Sequence, residues 1–204
     1  MGETTLSEKL IPIVLASASR ARTKVLSDAG VDHIQDPANI DEAAIKDTWY
    51  GRPEALAREL ARAKAEALAD KYPNAMIIGA DQVLALGQKI VNKPGDPTRV
   101  RRQLDRLRGR EHRLISAVAV SSQNNVVWDH VATAHMYMRP FSDDFLDAYV
   151  AKVGDDVAMS AGAYHLANMG AQLFENVEGD FFTVLGLPLI PLLNFLRSRG
   201  ALQS

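Results

Sequence analysis

Apolar residues in this chain come alternately in short unbroken runs and in helical spacing. Residues 11–16 form an apolar run that stops at Ser17 and Ser19, and they read as a buried strand. Residues 19–29 carry a helical pattern that ends at Gly30. Residues 32–50 show no period and read as an irregular segment. Residues 53–71 predict a strong helix with Pro53 in its first turn. Met76–Leu86 predicts a long buried strand. Residues 97–108 predict a helix between an Asp96 N-cap and a Gly109 stop. Residues 111–121 and 126–138 predict two long strands around the turn Gln123-Asn124-Asn125. A short helix capped by Ser142 follows over 142–152, then a strand over 179–185. A closing helix over 188–199 keeps Leu189, Leu192, Leu193 and Leu196 on one face. Strands alternating with helices mark an α/β fold, and a hairpin among the βα units makes its sheet mixed. The expectation is one domain over residues 1–204, with flanking helices and two lobes around a central cleft.

Several polar residues break this pattern. Ser17, Ser19, Arg20 and Arg22 stand where the first strand runs into a helix N-terminus, an end that favours an anion such as phosphate. The alternative is that Ser19 is an ordinary N-cap and the arginines are surface charge. In the helix over 53–71, Leu56, Leu60, Lys64 and Leu68 share one stripe, while Arg58, Glu59, Arg62 and Glu66 fall opposite. Lys64 either snorkels out at the edge of the stripe or reaches an anion in a cleft. In the third strand, Asp81 and Gln82 interrupt an apolar run. A carboxylate there must be paired, metal-bound, protonated or at an open strand end, and it suits a divalent cation or a general base. The turn Val91-Asn92-Lys93-Pro94-Gly95 has a fixed shape that either aims Lys93 at a phosphate or leaves it solvated. Asp41-Glu42 lies in the irregular segment and reads as solvated acid or as part of a functional loop.

Composition removes some classes of function. The 204 residues are 47% hydrophobic, enough for a real core. A net charge of −2 argues against a dedicated nucleic-acid or acidic-membrane binder. The absence of cysteine excludes disulfides, thiolate catalysis and cysteine-based zinc sites. Residues 1–9 are polar, without the apolar core of a signal peptide, and Gly2 lacks the context for myristoylation, so a cytoplasmic location is expected. The apolar segment 184–196 is short and holds Gly186, Pro188, Pro191 and Asn194, which suits a core element rather than a membrane span. The five histidines show no zinc-motif spacing and read as structural or surface residues.

Taken together, these motifs resemble the Maf family of nucleotide pyrophosphatases. The matches are Leu15-Ala16-Ser17-Ala18-Ser19 with Arg22, Asp41-Glu42, Lys64-Ala65, Ile77-Ile78-Gly79-Ala80-Asp81-Gln82-Val83 and Lys93-Pro94. They continue through Ala161-Gly162-Ala163-Tyr164, Gly179-Asp180 and Val184-Leu185-Gly186-Leu187-Pro188-Leu189, in order along nearly the whole chain. The resemblance implies an elongated mixed sheet akin to that of inosine triphosphate pyrophosphatases, a homodimer, and a divalent cation (Mg²⁺, Mn²⁺ or Co²⁺). The implied reaction splits a nucleoside triphosphate into monophosphate and pyrophosphate, and the family is linked to septum formation. Carried over, Asp81 is the general base, Glu42 assists the base or the metal, and Lys93 completes the catalytic set. Ser17, Arg22 and Lys64 hold the triphosphate.

Three positions linked with base specificity depart from the common family pattern. The usual Pro-Arg-Arg is Arg20-Ala21-Arg22 here, the usual Asp-Thr is Asp81-Gln82, and a frequent Gln or Glu is Ala167. Gln82 and the run Leu173-Phe174-Glu175-Asn176-Val177-Glu178-Gly179 resemble the branch that prefers 7-methyl-GTP. Ala21 and Ala167 leave a base pocket that is either looser or read by Gln82 and backbone groups. They also motivate the competing expectation, a nucleotide-binding regulator of cell division without turnover.

Overall fold

The computed structural model describes residues 11–203, so the readings of residues 1–9 lie outside the described residues. Strand β1 (Ile13–Leu15) is followed by α1 (Arg20–Asp28), β2 (Ile34–Gln35), α2 (Glu42–Asp47) and α3 (Pro53–Glu66). Strand β3 (Met76–Leu86), the short β4 (Lys89–Val91) and α4 (Val100–Leu107) come next, then the long hairpin β5 (Glu111–Ser122) and β6 (Asn125–Met138). The chain closes through α5 (Asp143–Val153), β7 (Phe174–Glu178), α6 (Phe181–Val184) and α7 (Leu189–Ser198). The strands form one mixed sheet in the order β2-β1-β3-β5-β6-β7, with β4 also on β3. The β1 pairings are parallel and the pairings of β3 with β4 and β5, of β5 with β6 and of β6 with β7 are antiparallel, as the α/β alternation with an inserted hairpin predicts. No helix among the described residues is long and apolar enough to cross a membrane.

Three segments differ from expectation. The helix expected over 53–71 ends earlier, as α3 at Glu66 with Ala67 as its C-cap. The stretch read as a strand over 179–185 is the short helix α6. Asp180 accepts hydrogen bonds from Phe182 N and Thr183 N, both at 2.9 Å, and so caps a helical turn. A four-residue segment has too little period to separate strand from helix. The strand lies just before it, as β7. The irregular segment 32–50 contains β2 and α2, the latter started by Asp41, whose carboxylate accepts from Ala44 N at 2.9 Å.

What matters for function is a gap in the sheet. One edge of β3 pairs with β5 from Ile77 to Ala85. The other edge pairs with β1 only at Met76, Ile77 and Ile78, and with β4 only at Leu84, Ala85 and Leu86. Among the described residues, 79–83 therefore have no strand beside them on that edge, because β1 ends and its chain turns away at Ser17. Asp81 is the middle residue of this gap.

The pleat then sends neighbouring side chains to opposite faces. On one face Val83 and Ala85 pack with Leu56, Leu60, Ala61 and Ala65 of α3. On the other, Ile78 and Ala80 join the core of α1 and α7, and Leu84 joins the core around α4 and α5. Gln82 thus falls between two apolar cores. Helix α3 lies against β3 so closely that a Cβ on Gly79 would stand 2.1 Å from Ala61 O and 2.5 Å from Ala65 N. Neither backbone atom can yield without shifting the helix. Gly79→Ala is expected to destabilise the fold by about 3 kcal/mol, read as a lowered urea midpoint, because overpacking of a rigid contact is relieved only by moving the helix.

Candidate active site

Helix α1 buries Arg22, Val25 and Leu26, which share one face at helical spacing. Arg22 is therefore turned inward, whereas Arg20 and Ala21 on the same first turn are exposed. Ser19 is the N-cap, its hydroxyl accepting from Arg22 N at 3.4 Å. Of the two readings of this serine, the cap is the one observed. Ser17 is buried, and its hydroxyl accepts from Arg22 Nη1 at 3.0 Å and from Ser19 N at 3.3 Å. Gln35 Nε2 donates to Ser17 O at 2.9 Å and fixes the turn after β1. Arg22 Nε donates to Gly186 O at 2.8 Å. Among the described residues its Nη2 has no partner, so one end of the fork is held by protein and the other is not. Burial pushes the guanidinium pKa down, and the carboxylates of Asp81 and Glu42 oppose that shift.

The second half of the site hangs on Lys64, which is buried on the inner stripe of α3. Its ammonium meets Asp81 Oδ1 at 2.6 Å and Glu42 Oε1 at 2.7 Å. Lys64 thus does not snorkel to water. The anions it reaches here are two carboxylates of its own chain. Asp81 Oδ2 has no partner among the described residues and is not sealed from solvent. Glu42 begins α2, and its Oε2 also takes Lys46 Nζ at 2.8 Å. Burial works against the ionised form of Glu42, but the hydrogen bonds from Lys46 and Lys64 overcome it and hold the carboxyl down at about 2.

That shift has a sign that can be tested. Between roughly pH 4.5 and pH 2 the unfolded chain protonates Glu42 while the folded one keeps it ionised, so the unfolded state binds more protons. Stability from this group is present above that window and is lost as the pH falls through it. Glu42→Gln is expected to flatten the acid limb of a plot of unfolding free energy against pH. Because Glu42 is partly exposed, solvent screening keeps the effect modest.

Lys93 follows β4 on the turn fixed by Pro94 and Gly95 and is exposed. Desolvation lowers the pKa of its ammonium, Arg22 lowers it further, and Asp81 and Glu42 partly restore it. Its charge therefore lies in the field of the same cluster. It also lines a depression of about 200 Å³ shared with Arg99, Arg102 and Arg106. Ala21 and Ala167 are exposed methyl groups, so neither supplies a polar atom to the cluster. Gln82 points to the other face of β3 from Asp81 and is bonded into the protein. Its Nε2 donates to Ser116 Oγ at 3.0 Å and to Thr183 O and Val184 O, both at 3.1 Å.

The sequence reading missed Lys46, Ser116 and the carbonyl of Gly186. Lys46 was within reach as the i+4 partner of Glu42 once a helix is drawn there. The other two depend on register and on a chain reversal far along the sequence. Among the described residues no group of three or more His, Asp or Glu side chains gathers as a metal cage. Histidine plays a structural part: His112 is buried and shares a 2.7 Å hydrogen bond with the Tyr164 hydroxyl. Burial pushes its pKa down to about 4, which keeps it neutral.

A family profile described as "Maf-like protein" matches residues 12–199. A Rhizobium meliloti protein named 7-methyl-GTP pyrophosphatase is 44% identical, over 94% of this chain and 98% of its own. A Rhodopseudomonas palustris protein named nucleoside triphosphate pyrophosphatase is 45% identical, over 94% of this chain and 95% of its own. A solved nucleoside-triphosphatase (dITP/XTP pyrophosphatase) from Mycobacterium abscessus is a remote likeness, with a TM-score of 0.45 and 12% identity over 93% of this chain and 94% of that one. On the strength of the profile, which runs from the start of β1 to the end of α7, and of relatives this similar over nearly their full length, the chain belongs to the Maf-like protein family.

Proposed function

We propose that this chain is a nucleoside triphosphate pyrophosphatase, releasing the monophosphate and pyrophosphate. The observation that carries the reading is the Glu42–Lys64–Asp81 chain, set at the gap in β3 with the free end of the Arg22 fork and the charge of Lys93 nearby. The names of the two curated relatives support the same activity. One sheet positions all of these groups, so we treat the chain as a single catalytic unit.

In this reading Asp81 Oδ2 accepts a proton from water, and the water oxygen attacks the α-phosphorus. The bond from that phosphorus to the α,β-bridging oxygen breaks, and its electrons leave with pyrophosphate. Lys64 holds Asp81 in place through its 2.6 Å contact with Oδ1. Arg22, with Ser17 behind it, and Lys93 face the charge that builds on the phosphate oxygens, where fixed cations in a partly dehydrated site do most to lower the barrier. Asp81 and Glu42 also fit a small divalent cation, which binds through one or two carboxylates plus substrate phosphates rather than through an all-protein cage. Such a cation, when bound by them, would neutralise phosphate charge and make the water more acidic. The base end is held by fewer polar atoms, since Ala21 and Ala167 offer none.

The test is pyrophosphate release from a panel of triphosphates with Mg²⁺, Mn²⁺ or Co²⁺, including 7-methyl-GTP, UTP, dTTP and pseudouridine triphosphate. Turnover on at least one member is the expected result. Tight binding with no turnover on any member would replace this reading by that of a nucleotide-binding regulator.

A further inference from the structure

Gln82 sits at a position linked with base choice, yet its amide is committed elsewhere. All three atoms facing its Nε2 are acceptors. Thr183 O and Val184 O are carbonyls, and Ser116 gives its only hydroxyl proton to Thr183 O at 2.7 Å. A reversed amide would press Oε1 against three sets of lone pairs, so the orientation is dictated by chemistry. Ser116 is fully buried and lies directly across from Gln82 in the β3–β5 register.

The carbonyls held this way belong to the turn that carries the arginine's anchor. Thr183 O also accepts from Gly186 N at 3.1 Å, and Leu187 N donates to Phe182 O at 3.0 Å. The chain reverses at Gly186 with φ +94°, a conformation that favours glycine. A Cβ there would stand 3.6 Å from Arg22 Nε and Nη2 and 3.7 Å from Gln82 Nε2, so the two side chains meet at the bare face of this residue. Gly186 O then takes the Arg22 Nε–H at 2.8 Å. A continuous path runs from Gln82 and Ser116 through the 183–186 turn to the guanidinium.

We propose that Gln82, with Ser116, is a positioning residue for Arg22: it locks the 183–186 turn so that Gly186 O holds the guanidinium with Nη2 free for substrate phosphate. The two neighbours on β3 thereby divide the work. Asp81 serves the carboxylate side of the sheet, and Gln82 sets the arginine side without touching the base. The phosphate role of Arg22 rests on the proposed function, whereas the lock itself does not.

The test uses Gln82→Met, which keeps volume but loses the donor, and Ser116→Ala, which removes the hydroxyl. The Arg22 Nε–H signal in ¹⁵N-correlated NMR reports the lock without any substrate. It is expected to exchange slowly with solvent in the wild type and at least about tenfold faster in both variants, as follows when a buried hydrogen bond to a charged group is loosened. In kinetics, kcat/KM is expected to fall by a similar factor for every triphosphate, leaving the preference among bases unchanged. In the Arg22→Lys background, Gln82→Met is expected to have little further effect. Wild-type Nε–H exchange at the solvent rate, or unaltered exchange in a folded variant, overturns the proposal. So does a loss confined to one base. An inactive wild-type protein with a protected Nε–H would refute the proposed function and leave the lock standing.

Discussion

Asp81→Asn is expected to lower kcat about 10³-fold, within the range for loss of a general base, while the protein stays folded. The asymmetry of the Asp81 contacts explains both halves of that result. Oδ1 is bound to Lys64 at 2.6 Å, whereas Oδ2 is free among the described residues. In the asparagine variant the amide oxygen keeps the lysine, so the buried contact survives as a hydrogen bond to a neutral acceptor, and Lys64 keeps Glu42, 2.7 Å away in the wild type. The amide nitrogen then occupies the place of Oδ2. It donates instead of accepting, and it takes no proton from water. Thermal unfolding should change little while steady-state pyrophosphate release collapses. Equal losses in both would mean that Asp81 is a structural partner of Lys64 and nothing more.

Lys64→Met is expected to harm both stability and turnover. Methionine fills the stripe on α3 but leaves Asp81 buried without its cation. Glu42 keeps Lys46, at 2.8 Å, and suffers less. Breaking one side of a buried pair is costly because the remaining charge is left uncompensated, here about 3 kcal/mol by urea unfolding at neutral pH. Removing the stranded charge as well, in Lys64→Met with Asp81→Asn, should recover part of the loss, so the double variant is more stable than Lys64→Met alone. A double variant as unstable as the sum of the two singles would show that Lys64 acts through packing.

Asp81 and Lys64 were legible in the sequence for the same reason. Each is a charge in a run whose period otherwise stays apolar, on a strand in one case and on a helix stripe in the other. Periodicity told that they were turned inward but not toward what. Their meeting depends on α3 lying across β3, which Gly79 permits and no local pattern announces. Arg22 was singled out among three basic and small neighbours by resemblance. Its burial follows from sharing a face with Val25 and Leu26. The 179–185 segment reads as a strand in the sequence because the four residues of α6, capped by Asp180, are too few to show a period. That reading hides the most informative link in the site, since the carbonyls gripping Gln82 belong to that helix.

In the proposed reaction, water attacks the α-phosphorus of a bound triphosphate with Asp81 as its base. Turnover in oxygen-18 water, with the products separated and weighed by mass spectrometry, tests it most directly. One labelled oxygen in the monophosphate, none in the pyrophosphate, and loss of labelling in Asp81→Asn are expected. Label in the pyrophosphate, or release of diphosphate and inorganic phosphate, would contradict it.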